Sequence, residues 1–163
     1  MIKQSKISVR HLVEFILRRG SIDNRKKSSH TALEGARIHR KLQKDAGEDY
    51  EKEVFLKTTV PLDEYHLIVE GRADGIFKRD GIYYIDEIKT SEPRFEDLEP
   101  EQVELFFHQA RVYAYIYSQE HDLQEINLQL TYFQTAEEVI TRKVEHQTRE
   151  QLETFFKKLT EDY

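Results

Sequence analysis

Three charged side chains near the middle of the chain have the types and spacing of a divalent-metal site. Asp74 lies on one predicted strand, and Glu87 and Lys89 lie on the next. The Asp-Gly pair at 80–81 favours a tight hairpin between them, because both residue types tolerate positive φ. Alternate side chains of a strand share a face, so Glu87 and Lys89 point together while Asp86 points away. Two carboxylates and an ammonium group therefore converge, and hard cations prefer such oxygen ligands.

A site of this composition is suited to the hydrolysis of a phosphodiester bond. That reaction needs an activated water, neutralised charge on the phosphate and a stabilised leaving oxygen, and a carboxylate-held divalent cation contributes to all three. Lys89 can orient the attacking water. The residues leave the number of metal ions open.

The same residues also have ordinary structural interpretations. Asp74 precedes Gly75 and could be a simple turn residue. Glu87 and Lys89 could form a charge pair on a solvated face of the sheet. Only their combination with other parts of the chain can decide between a metal site and these alternatives.

Helices and strands are predicted in the order α-α-β-β-β-α-β-β-α. The helices cover 9–19, 31–44, 100–119 and the last residues from 149, and the strands cover 53–60, 66–77, 82–90, 126–133 and 139–144. Helix starts are indicated by Ser8, by capping-box patterns at 31–34 and 148–151 and by Pro100, and Gly20 would end the first helix. This order predicts an α/β fold with an open mixed sheet flanked by helices.

The composition excludes several classes of site. The 163 residues fit a single domain, here 1–163, in which 1–29 form a basic helix and loop. The chain has no cysteine, which excludes disulfides, zinc–thiolate sites and iron–sulfur clusters and fits a reducing cytoplasm. Apolar runs are far shorter than the ~20 residues of a membrane span, so we expect neither a membrane segment nor a signal peptide.

Charge is distributed unevenly along the chain. Residues 1–44 contain twelve Lys and Arg against three acids, whereas the whole chain has a net charge of −6. A basic segment leading into an acidic body suits a protein that attracts a polyanion and also holds a metal. A solvated basic surface explains the charge equally well.

Four short motifs follow one another along the chain. They are Gly35-x-x-x-His39, Gly71-x-x-Asp74, Glu87-x-Lys89 and Gln109-x-x-x-Tyr113. In this order, and on helix, strand, strand and helix, they resemble the motifs of RecB-like exonuclease domains of the PD-(D/E)XK nuclease superfamily. The resemblance covers roughly residues 30–135. Each motif alone occurs readily by chance, but four in order are specific.

The resemblance implies a restriction-endonuclease-like fold with a central mixed sheet of about five strands. It also implies a metal site, whose ligands would be His39, Asp74, Glu87 and the backbone carbonyl of Ile88. Lys89 would be the catalytic lysine beside Asp74 and Glu87. The proline that precedes the acid in the superfamily's name is replaced here by Ala73, a common departure.

The remaining implied residues would contact DNA. Gln109 and Tyr113 match the helix residues that bind or orient DNA, although one helical turn of ordinary packing would also explain them. Arg37, Arg40 and Lys41 are candidate phosphate contacts beside His39, or else part of a solvated helix face.

The resemblance further implies a metal-dependent DNA nuclease, expected to be an exonuclease in DNA repair or recombination. The cofactor would be Mg²⁺ or Mn²⁺, and the lack of cysteine excludes the family's iron–sulfur branch. Imidazole binds Mn²⁺ better than Mg²⁺, so His39 favours Mn²⁺. The alternative is a DNA-binding module that does not cut. The chain could also be one piece of a larger helicase–nuclease, with a helicase domain in cis or in trans as its partner.

Overall fold

A computed structural model describes residues 2–17 and 29–163 of the protein. The helices are α1 (Val9–Leu17), α2 (Ser29–Asp45), α3 (Pro100–His121) and α4 (Arg149–Glu161). The strands are β1 (Lys3–Ser8), β2 (Glu51–Pro61), β3 (Tyr65–Arg79), β4 (Ile82–Ser91), β5 (Glu125–Gln134) and β6 (Val139–Thr148). The predicted α/β class with a mixed sheet flanked by helices is confirmed.

The sheet has six strands, one more than the sequence predicts. The additional strand is β1, whose residues Lys3–Ser8 are mostly polar and largely exposed. Such a segment has little strand signal of its own. It becomes a strand because it pairs in parallel with β3, from Lys3 opposite Tyr65 to Ser8 opposite Glu70.

The long strand β3 changes partner along one of its edges. β1 pairs with residues 65–70 of β3, and β4 pairs in antiparallel orientation with residues 75–79. Residues 71–74 lie between these two pairings, and β2 follows the other edge of β3. β5 then runs parallel to β4, and β6 runs antiparallel to β5. On this edge, residues 71–74 of β3 pair with neither β1 nor β4. We call this opening in the sheet the fork.

Several predicted element boundaries are confirmed. Ser8 caps α1, since its Oγ accepts a hydrogen bond from the His11 N–H at 3.1 Å. The Asp-Gly turn at 80–81 has the expected positive φ values of 54° and 84°. Thr148 and Gln151 form the predicted capping box of α4.

Other predicted boundaries differ from the structure or fall outside it, and the largest difference is in β6, which ends at Thr148 instead of residue 144. α2 begins at Ser29, two residues before the capping signal at Thr31. The predicted end of the first helix, at Arg19 and Gly20, lies outside the described residues.

The main core lies between one face of the sheet and the helices α1, α3 and α4. On this face Tyr83 of β4 contacts the ring of Tyr117, and Lys89 lies over the ring of Phe106, both in α3. α2 packs against the opposite face of β4, where Gly35 lies close to the Thr90 hydroxyl. In the part of the chain that the structure describes, no helix is long and apolar enough to cross a membrane.

Candidate active site

Asp74 lies at the fork where β3 and β4 separate. The β3–β4 ladder ends with Gly75 opposite Asp86, so the strands diverge at the next residues. The Asp74 carboxylate replaces the missing backbone acceptor, because its Oδ2 accepts a hydrogen bond from the Ile88 N–H at 2.7 Å. This bond fixes Asp74 beside the backbone of the strand that carries Glu87 and Lys89.

The alternation of side chains along β3 is interrupted at the same point. Gly71 faces α3, while Ala73 and Ile76 both belong to the core on that side. Gly75 instead faces the Tyr50 ring. The facing strand β2 has an irregular residue opposite Asp74, since Glu53 has a φ of 53°. The two strands therefore change face together, and this change directs Asp74 into the fork.

Glu87 and Lys89 share the α3 face of β4, as strand alternation predicts. Lys89 Nζ lies 3.1 Å from Glu87 Oε1. The second carboxylate oxygen, Glu87 Oε2, is buried and has no hydrogen-bond partner among the described residues. Burial raises the pKa of Glu87 to about 7, against the lowering effect of Lys89. Glu87 is thus a buried acid in which Lys89 contacts one carboxylate oxygen, while the other has no hydrogen-bond partner among the described residues.

α2 brings His39 to the fork. Its Nδ1 lies 3.7 Å from Asp74 Oδ1, which places the ring beside the carboxylate. One helical turn later, the buried Gln43 donates from Nε2 to the Asp74 carbonyl oxygen at 2.8 Å and to Glu53 Oε1 at 2.9 Å. The same helix face therefore contacts both the side chain and the backbone of Asp74.

Tyr113 faces the acids from α3. A Cβ at Gly71 would fall 2.6 Å from the Tyr113 hydroxyl, so this close approach requires glycine. Burial raises the pKa of Tyr113, and the nearby charges of Glu87 and Asp74 raise it further. Gln109 is buried one turn earlier in α3, and its amide has no hydrogen bond to the acids within the described residues. The structure therefore places Tyr113 beside the acids, and Gln109 one turn away on the same helix.

The predicted phosphate contacts lie on the exposed side of α2. Arg37, Arg40 and Lys41 are all solvent-exposed. Their spacing of three and four residues places them along one stripe of the helix. The stripe belongs to the same helix as His39, but Arg37 and Lys41, two residues to either side of it, point away from the helix face that His39 presents to Asp74.

The opposite face of β4 carries a second buried acid with different surroundings. Asp86 Oδ1 accepts hydrogen bonds from Thr131 at 2.6 Å and Gln129 at 3.2 Å, and its Oδ2 accepts one from the Tyr50 hydroxyl at 2.6 Å. Burial raises the pKa of Asp86, and these three donors oppose the rise. Asp86 therefore points away from Glu87, as the sequence predicts, and has a complete set of partners.

The donors at the fork suit a divalent cation chemically. The hard oxygens of Asp74 and Glu87 and the nitrogen of His39 are ligands for Mg²⁺ or Mn²⁺. In residues 2–17 and 29–163, no three His, Asp or Glu side chains lie close enough together to hold a metal ion. The free Glu87 Oε2 nevertheless lacks a partner that a cation would supply. The donor types and this unpartnered buried oxygen fit such an ion.

Sequence reasoning missed Gln43 and Glu53. Gln43 follows His39 by four residues, a spacing that places both on one helix face, and this was the available signal. Glu53 has no comparable signal, because its place opposite Asp74 depends on the pairing of β2 with β3. Both residues contact the fork only through the tertiary structure.

Comparisons with known proteins agree with this arrangement. The crystal structure of SSO0001 resembles the protein with a TM-score of 0.62 at 18% identity, covering 96% of this chain and 75% of that one. At that identity the likeness concerns the fold alone. Among curated proteins none matches the chain. A family model of the PD-(D/E)XK nuclease superfamily matches residues 8–163, which include the whole fork and every helix that packs around it. The protein therefore belongs to the PD-(D/E)XK nuclease superfamily.

Proposed function

We propose that the protein is a divalent-metal-dependent DNA nuclease and that it acts as a RecB-like exonuclease in DNA repair or recombination. Nucleases of its superfamily use divalent metals. The observation that carries the proposal is the fork, where Asp74, Glu87 and Lys89 meet and one Glu87 oxygen has no partner within the described part of the chain. The four ordered motifs support the RecB-like assignment.

The residues of the fork would divide the work of phosphodiester hydrolysis. Asp74, Glu87, His39 and the Ile88 carbonyl would hold the cation. When bound, it supplies positive charge that activates a water and neutralises the phosphate. Lys89, released from Glu87, would orient the attacking water. Tyr113 would contact the DNA strand from the opposite wall of the site.

The metal is proposed to be Mg²⁺ or Mn²⁺, with Mn²⁺ supporting activity at least as well. The reason is the imidazole of His39, which lies 3.7 Å from the Asp74 carboxylate. Nitrogen ligands are better suited to Mn²⁺ than to Mg²⁺.

DNA is the proposed partner, and its phosphates would lie along the exposed stripe of Arg37, Arg40 and Lys41. Such contacts position the backbone without reading its sequence. A helicase domain, in the same chain or in another protein, is a second proposed partner. Gln109 remains a candidate DNA contact on the same helix as Tyr113.

The direct test is digestion of end-labelled DNA with Mn²⁺, with Mg²⁺ or with a chelator. We expect the wild type to cut only when a metal is present, and Asp74→Ala and Lys89→Ala to lose cutting while still binding DNA. If Asp74→Ala cuts as well as the wild type, the proposed site is wrong. The time course of released mononucleotides separates exonuclease from endonuclease activity.

The same experiment tests the alternative of a non-cleaving DNA-binding module. The observation that favours this alternative is that, among the described residues, no three His, Asp or Glu side chains lie close enough together to hold a metal ion. A wild-type protein that binds DNA but cuts with neither metal would establish it in place of the nuclease.

A further inference from the structure

Among the described residues, Gln43 alone donates hydrogen bonds to both the backbone of Asp74 and the side chain of Glu53. Both bonds start from Nε2, at 2.8 Å to the Asp74 carbonyl oxygen and 2.9 Å to Glu53 Oε1. An amide nitrogen has two hydrogens, so one can serve each acceptor. Gln43 is 4% exposed, so solvent offers it little alternative. The amide therefore has one favourable orientation, in which Nε2 lies towards both acceptors.

Glu53 has an unfavourable backbone conformation for this contact. Its φ of 53° lies in the left-handed region, which residues other than glycine rarely adopt. Such strain persists only where the surrounding structure imposes it, and it concentrates at functional sites. Here it occurs opposite Asp74, where both strands change face.

The charge of Glu53 also reaches the site. After burial, the charges of Glu87, Asp74 and Glu53 raise the pKa of Tyr113, so all three carboxylates act on the same hydroxyl. Glu53 is itself exposed, so its strained backbone conformation is not stabilised by burial of its own side chain.

We propose that Glu53 and Gln43 form a positioning pair for the metal ligand Asp74. Glu53 orients the Gln43 amide, and the second N–H of that amide holds the Asp74 carbonyl at the point where β3 leaves its ladder. The pair thereby fixes the direction of the Asp74 carboxylate without touching the substrate. This inference rests on the proposed function.

The test measures Mn²⁺ binding by calorimetry on the full chain, without DNA and without turnover. Partners that orient metal ligands typically contribute about 10–100-fold in affinity. We therefore expect Gln43→Leu to weaken Mn²⁺ binding at least about tenfold, and Glu53→Gly to weaken it by a smaller factor.

Two matched controls separate positioning from folding. Gln134 is buried like Gln43 and also donates to a backbone carbonyl, that of Glu92, at 3.1 Å. Glu138 has a φ of 56°, so Glu138→Gly relieves the same backbone strain as Glu53→Gly away from the fork. Gln134→Leu and Glu138→Gly should bind Mn²⁺ like the wild type.

Each outcome decides the question. Weakened binding in both fork variants but in neither control supports the positioning pair. Unchanged affinity in Gln43→Leu, or equal losses in the controls, overturns it. A wild type that binds no Mn²⁺ contradicts the proposed function itself, and is thereby distinguished from failure of the pair.

Discussion

Two buried acids on β4 are neighbours in sequence and opposite in surroundings. Asp86 is 4% exposed and Glu87 is 5% exposed, so burial does not distinguish them. Asp86 accepts hydrogen bonds from Tyr50, Thr131 and Gln129, whereas Glu87 has only Lys89 and keeps one oxygen without a partner in the described part of the chain. A buried acid with all its partners stabilises the fold, and one with a free oxygen is available to a ligand.

The largest expected difference concerns cleavage. Because loss of a supporting residue already costs about 10–100-fold, loss of the ligand itself in Glu87→Gln should lower cleavage by more than about 100-fold. Asp86→Asn should lower it far less, since Asp86 lies on the other face. Single-turnover digestion with Mn²⁺, at a temperature where both variants are folded, measures this. Equal losses would remove the functional distinction between the two acids.

For stability we expect the opposite ranking, with the larger loss on substitution of Asp86 and the smaller on substitution of Glu87. Asp86→Ala leaves three buried or half-buried donors without their acceptor and should lower the free energy of unfolding by about 4 kcal/mol. Glu87→Gln should not lower it. Urea unfolding in the presence of a chelator measures both. A loss in Glu87→Gln as large as that in Asp86→Ala would mean that Glu87 is also a structural acid.

The raised pKa of Glu87 should make the stability of the protein depend on pH. The pKa of Glu87 is raised from 4.5 to about 7 by burial, so the folded state holds this proton more tightly than the unfolded state. The metal-free protein should therefore lose stability as pH rises from about 4.5 to about 7, by about 3 kcal/mol from this group. The wild type and Glu87→Gln should have similar stability below about pH 4.5, diverge between about pH 4.5 and about pH 7, and keep a constant difference above that. Parallel profiles would contradict the raised pKa.

The smallest effects are expected on substitution of two glycines in β3, of which Gly75 faces Tyr50 and Gly71 faces Tyr113. A Cβ at Gly75 would fall 1.8 Å from the Tyr50 ring, so Gly75→Ala must displace Tyr50 and should cost about 2 kcal/mol of stability. A Cβ at Gly71 would meet the Tyr113 hydroxyl instead, so Gly71→Ala should affect cleavage more than thermal stability. Thermal unfolding and digestion of both variants check this. The opposite pattern would mean that Tyr50, not Tyr113, serves the site.

Local signals predicted much of the fold. The Asp-Gly turn, the capping box at Thr148 and the cap at Ser8 depend on contacts within a few residues, and all three are present. β1 was missed because its polar sequence forms a strand only through pairing with β3. The start of α2 was placed at Thr31 because of the capping pattern there, whereas the helix begins at Ser29.

The candidate site divides in the same way. The sequence by itself indicated the superfamily, through the resemblance of four ordered motifs, and it determined the types of the site residues. The strand alternation that separates Glu87 and Lys89 from Asp86 follows from residue spacing. Only the tertiary structure decided that β3 and β4 part at Asp74, that Glu53 and Gln43 meet there, and that Glu87 keeps a free oxygen among the described residues. Burial and hydrogen-bond partners depend on elements far apart in the chain, which no local pattern encodes.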